Sequence, residues 1–182
     1  MKTDISHVLV EEHKLILRMI ALVEKNAPET AAGRYLHWQF YLDGIDFIRN
    51  YADRFHHAKE EDVLFKALVD NGMPKANSPV AAMLMEHDLG REYVRAMAAA
   101  VQAAQAGKTS VYQEISDNAL GYAALLRDHI CKEDEILYPL AERVIPETMR
   151  DGILQGYQAA EDQVSSDFEE YYRGVVMRYE QE

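Results

Sequence analysis

Residues 127–139, RDHICKEDEILYP, place His129 and Glu133 four positions apart in a run with no helix breaker before Pro139. Residues at that separation share one face of a helix, so an imidazole and a carboxylate point the same way. The pattern recurs upstream in residues 56–65, HHAKEEDVLF, where His56 and Glu60 keep the spacing and Val63-Leu64-Phe65 parallels Ile136-Leu137-Tyr138. Each copy is preceded by a histidine in a Glu-His pair: His13 lies 43 residues before His56, and His87 lies 42 before His129. The chain therefore reads as a duplicated unit, a helix with one His followed by a helix with His-x-x-x-Glu. Ligand-type residues repeated at fixed spacing point to a metal site. The plain alternative is four core histidines and two surface glutamates.

A length of 182 residues and 48% hydrophobic content suit one domain with a sizeable core. With 31 acidic against 19 basic residues the formal charge is −12, which repels phosphate backbones and anionic membrane surfaces. Nucleic acid and membranes are therefore not expected as partners. A single cysteine, Cys131, rules out an intrachain disulfide and fits a reducing compartment. No apolar run approaches the roughly 18 residues of a membrane span, so a cytoplasmic protein is expected.

Apolar residues recur at three and four, and strand signals are nearly absent, so the fold class is all-α. A first helix, capped by Thr3 or Asp4, is expected to stop near Lys25, before Asn26-Ala27-Pro28. A long second helix spans about 34–71. The third starts at the Ser78-Pro79 cap and ends before Gly107, with Ala98 to Ala104 arguing for a close helix contact. The fourth starts at Thr109 or Ser110 and carries His129 and Glu133 until Pro139 bends the chain. Together they predict an antiparallel four-helix bundle over residues 1–142. Residues 143–182 form a helical extension whose Tyr157, Phe168, Tyr171 and Tyr179 lay an aromatic stripe on the bundle or on a second subunit, as a homo-oligomer contact.

Imidazole and carboxylate are ligands that iron, zinc and manganese share, and buried carboxylates need a cation to compensate them. Four histidines and two glutamates exceed the three protein ligands of a typical catalytic zinc site. Two metals follow, with His13 and His56 on one, His87 and His129 on the other, and Glu60 and Glu133 bridging. His57 with Glu61 offers a competing register. At about 100° per residue, His56 falls beside Ile45, Ala52 and Val63, whereas His57 falls with Asp46, Asn50 and Asp53. That selects His56 with Glu60 and leaves His57 at the surface or behind the ligands. Glu12 and Glu86 read as solvated neighbours of ligand histidines, and Arg91 as either a rim residue or an exposed arginine.

The order His, His-x-x-x-Glu, His, His-x-x-x-Glu, with EEHKLILRMI and MEHDLGREYV around the lone histidines, resembles the hemerythrin-like (HHE cation-binding) family of non-haem di-iron four-helix bundles over about residues 5–140. The resemblance implies two oxo- or hydroxo-bridged iron ions, with zinc or manganese as substitutes, and oxygen, peroxide or nitric oxide as the small-molecule ligand. It also implies several roles: carriage, peroxide or nitric oxide detoxification by a di-iron oxidoreductase, and oxygen or iron sensing and iron handling. One departure stands out. Respiratory hemerythrins carry a further histidine one turn after the third-helix ligand, where this chain has Arg91. On that reading one iron loses a ligand and both have room, which argues against reversible oxygen carriage.

Overall fold

The computed structural model describes residues 3–182, all helix and connection, with no strand among them. Helix α1 is His7–Ala31. Helix α2 runs without interruption over residues 38–70, and α3 is Pro79–Gln105. After a 3-10 turn at Thr109–Val111, α4 runs over residues 112–144. Two shorter helices follow, α5 at Glu147–Glu161 and α6 at Phe168–Glu180. The contacts close a ring, α1 on α2, α2 on α3, α3 on α4 and α4 on α1, which is the expected bundle.

Local chemistry sets the ends. The Asp4 carboxylate accepts from the Ser6 and His7 amides at 3.0 and 2.9 Å, capping α1. Ser78 Oγ accepts from the Ala81 amide at 3.2 Å with Pro79 at the first helical position. Where α3 meets α4, a Cβ on Gly121 would lie 2.6 Å from the Tyr93 ring, so glycine lets that ring lie against α4 where any larger residue would displace it.

Two expected stops are absent. Helix α1 passes through Pro28 to Ala31: the proline gives up the bond to the Glu24 carbonyl, and the turn that follows is held by Thr30 Oγ1 donating to the Asn26 carbonyl at 3.1 Å and by the Ala32 amide donating to the Pro28 carbonyl at 3.2 Å. Pro139 does not end α4 either. It follows a π-helical turn, Glu133–Leu137, whose i→i+5 bonding redistributes the backbone donors, and the helix continues to Val144. Helix α2 has two such stretches, Ile48–His57 and Glu60–Leu64. The expected single C-terminal segment is broken at residues 162–167. Its aromatic stripe covers the bundle of the same chain: Tyr172 and Tyr179 are buried with α1 and α2, and Tyr157 with the other end. Tyr171 stays exposed.

The core is in two parts. The larger contains Ile16, Met19, Phe47, Tyr51, Val101 and Ile115; the smaller contains Leu9, Leu64, Phe65, Leu137, Tyr138 and Tyr157. Between them lies a layer of buried histidines and carboxylates.

Candidate metal centre

All six side chains singled out by the repeat, His13, His56, Glu60, His87, His129 and Glu133, are buried in this layer, and His57 joins them. They form two groups whose ligand atoms lie within 4.8 Å of one another, His13-His56-Glu60-Glu133 and His57-Glu60-His87-His129. In the first, His13 Nε2 lies 2.9 Å from His56 Nε2; in the second, His87 Nε2 lies 3.0 Å from His129 Nε2. Glu60 Oε2 stands 3.7 Å from His56 Nε2 and 3.5 Å from His87 Nε2. Glu133 answers from the other side, Oε2 at 3.4 Å from His13 Nε2 and Oε1 at 3.1 Å from His129 Nε2. Each carboxylate thus reaches histidines of both groups.

The placing of His57 corrects the helical-wheel reading. A π-helical stretch ends at His57, and its wider turn advances fewer degrees per residue than an α-helix. Two consecutive histidines therefore straddle the inward direction, one serving each group. The His57 ring stacks on His87 at 3.7 Å with 8° between planes. The second group thereby gains the third imidazole that Arg91 was expected to cost it. Glu61, the partner proposed for His57 in the alternative register, points instead at His87.

Every Nδ1 is tied to a carboxylate. His13 Nδ1 donates to Asp134 at 2.8 Å, His56 to Glu12 at 2.8 Å, His87 to Glu61 at 2.7 Å, His129 to Glu86 at 2.9 Å and His57 to Asp53 at 3.3 Å. This arrangement orients a metal-ligating histidine and fixes its tautomer. In a neutral ring a proton on Nδ1 leaves a lone pair on Nε2, and the four paired Nε2 atoms converge on one space. Glu60 Oε2 and both oxygens of Glu133 are buried without a hydrogen bond. Lone pairs and orphaned carboxylate oxygens facing one space are what a cation satisfies. The donor set fits metal ions.

The electrostatics agree. Burial and then the charge of Glu133 push the Glu60 carboxyl well above its usual range. Burial also works to raise Glu133, but His129 and His13 outweigh it and hold that carboxyl well below. Burial likewise opposes charge on His13, yet Asp134 and Glu133 push it up to about 9. Without a metal, the field gathers a proton where a cation is wanted.

The outer partners repeat with the ligands. Glu12 and Glu86, expected to be solvated, each turn away from the histidine beside them and hold the Nδ1 of the histidine on the next helix. Each is also gripped by a lysine, Lys59 or Lys132, that immediately precedes a site glutamate. Asp134 and Glu61 each follow a site glutamate and hold the remaining pair. The signal was present in the sequence as a Glu-His pair in each half, and as Lys-Glu-Glu in the first half matched by Lys-Glu-Asp in the second. It was missed because neighbours on one helix diverge by about 100°, whereas these contacts cross between helices.

Arg91 is on the rim but not free. Its guanidinium donates to Asp53 at 2.7 and 3.0 Å, to Glu61 at 2.8 Å and to Asp88 at 3.0 Å. It therefore acts through the carboxylates that hold His57 and His87. The halves differ in two further ways. Tyr138, which stands where the other half has Phe65, donates its hydroxyl to Glu60 Oε1 at 2.6 Å and lies 3.4 Å from His13 Nε2. Burial, with the charges of Glu60 and Glu133, pushes that phenol well above its usual value and keeps it protonated. Lys59 is fully buried beneath Glu161 of α5, while Lys132 is 43% exposed. Cys131 is exposed and His37 lies at the far end beside Glu182, both outside the layer.

A family model described as the hemerythrin HHE cation binding domain matches residues 4–141. No curated protein and no solved structure gave a match. Among the described residues no helix is long and apolar enough to cross a membrane. Family match and clustered histidines and glutamates together support a metal-binding site.

Proposed function

As a chain that belongs to the hemerythrin HHE cation binding domain family, this protein is one that we propose to be a di-iron protein taking oxygen, peroxide or nitric oxide. The observation that carries the reading is the pair of His/Glu groups sharing Glu60, with every imidazole tied through Nδ1 and every Nε2 turned inward. His13 and His56 would hold one ion, His57, His87 and His129 the other, and Glu60 and Glu133 would bridge them. Two iron ions would supply the redox change and the open position; zinc and manganese suit the same donors.

The unequal count of imidazoles leaves the His13-His56 side with more room. That side is also where Tyr138 holds a proton, at a hydroxyl close to both His13 and Glu60. Burial and the neighbouring carboxylates keep that phenol protonated, so it stands as a proton donor beside a small oxygen or nitrogen species arriving there. With His57 present, Arg91 no longer argues against reversible oxygen binding. Binding and turnover are separated by experiment: the protein is loaded anaerobically with ferrous iron and the bound iron counted. Oxygen, nitric oxide and then peroxide are added while spectrum and peroxide concentration are followed. Two irons per chain with a spectral change on adding a ligand support the reading. Iron that stays below one per chain, or a spectrum that no ligand alters, refutes it.

A further inference from the structure

The second group of histidines is reached by a cavity of about 270 Å³ between α2, α3 and α4. It runs from His57, His87 and His129 past Gly90 to Ile48, Val94 and Tyr122. Seven residues separate His87 from Val94 and Tyr122 from His129, which at the helical rise corresponds to about 10 Å. The inner wall is apolar, from Ile48, Val94, Tyr122 and Leu126, all buried. The outer part carries the exposed side chains of Arg49, Arg54 and Arg95.

This positive rim is unusual in a chain of net charge −12. The acids lining the same cavity are already engaged, Asp53 by Arg91 and His57, and Glu86 by Lys132 and His129. Arg49 makes no ion pair among the described residues, Arg54 reaches only Asn50 at 3.3 Å, and Arg95 has Glu92 no nearer than 4.0 Å. A slot with an apolar body and an uncompensated cationic rim selects an anion that carries hydrocarbon. A diatomic gas needs neither.

We propose that this cavity binds a small organic carboxylate, its charge among Arg49, Arg54 and Arg95 and its hydrocarbon along Val94, Tyr122 and Leu126. The far end of such a molecule faces His57, His87 and His129, so the proposal names an organic ligand class for the metal centre proposed above. Anion binding itself requires only the cavity.

The test is calorimetric titration of metal-free and iron-loaded protein with octanoate, octanol and octylamine at low salt. Octanoate should bind, with octanol and octylamine at least tenfold weaker, and its affinity should fall as salt rises. The double variant Arg49→Gln/Arg54→Gln changes exposed positions only and should weaken octanoate by roughly tenfold, since each exposed pair contributes up to about a factor of five. Gly90→Leu should block the slot, because a Cβ there already stands 3.4 Å from the Tyr122 ring. A melting curve shows whether that variant folds, and the arginine variant decides the matter if it does not. Equal binding of octanoate and octanol, no octanoate binding, or an unchanged affinity in the arginine variant each overturns the proposal. Because iron is counted separately, loss of the iron reading and loss of the anion site are distinguishable.

Discussion

Replacing His57 by leucine should cost the second metal ion while sparing the first. Leucine roughly fills the space of the ring, so the packing against His87 is largely retained and the missing imidazole dominates. The scale comes from comparison with Arg91. Arg91→Met removes a group that touches no ligand directly but holds Asp53 at 2.7 Å and Glu61 at 2.8 Å, which in turn hold His57 at 3.3 Å and His87 at 2.7 Å. Loss of such an outer partner typically costs about 10- to 100-fold in metal affinity, or roughly 1.4–2.8 kcal/mol. His57→Leu removes a donor outright and also frees Asp53, so its effect must exceed that of Arg91→Met. Titrating metal-free protein anaerobically with ferrous iron against a competing chelator gives the two affinities separately. The expected order is wild type, Arg91→Met, His57→Leu, with the tighter remaining ion within about tenfold of wild type. Wild-type loading in His57→Leu, or a smaller loss there than in Arg91→Met, would refute the assignment and return His57 to a packing role.

Glu60→Ala and Glu133→Ala should each lose both ions, since each carboxylate lies within 3.7 Å of ring nitrogens from both groups; metal analysis returning one ion from either variant contradicts bridging. Apparent metal affinity should rise with pH through neutrality and level off near 9. His13, raised to about 9, stays protonated below that value and must release its proton to bind, so a flat affinity between pH 6 and pH 9, as about neutral to basic conditions, would count against His13 as a ligand. Lys59→Met should destabilise the protein by about 3–5 kcal/mol, because it removes the lysine that neutralises the buried Glu12 and leaves that carboxylate only the His56 Nδ1–H. Lys132→Met should cost at most about 1 kcal/mol, its partner being nearer to solvent. At this chain length that difference is a drop of roughly 10 °C in Tm for the first variant alone, and equal melting temperatures would show that the cover of α5 and α6 makes no difference.

The helices and the duplicated ligands were legible in the sequence because both obey a simple period. Ile16 and Ile20 lie on the face that carries His13, and the Ser78-Pro79 cap announces α3 by chemistry alone. What the period hid was the place where it changes. His57 was misplaced because the wheel assumed a uniform α-helix through Ile48–His57, and the same assumption hid the π-helical turn at Glu133–Leu137 through which α4 continues past Pro139. Glu12, Glu86 and Tyr138 were passed over because their partners lie on other helices, a relation that no local pattern encodes. The helix count of the C-terminal extension was lost at residues 162–167, where no proline or glycine marks the break.

The layer of histidines and carboxylates divides the bundle into two separately packed ends. All four bundle helices cross that layer, where a cluster of buried histidines and carboxylates interrupts the hydrocarbon between the two blocks. Metal ions at this level would act as a clasp joining two oily blocks, and without them buried carboxylates and imidazoles are left at the seam with no cation to satisfy their lone pairs. Native-state hydrogen exchange should then show a single cooperative unit in the loaded protein. In the stripped protein the smaller block, around Leu9, Phe65 and Tyr157, should open at lower free energy than the block around Met19 and Val101. Occupancy of the site would in that way be felt at both ends of the molecule through how the chain breathes, with no change in its resting shape.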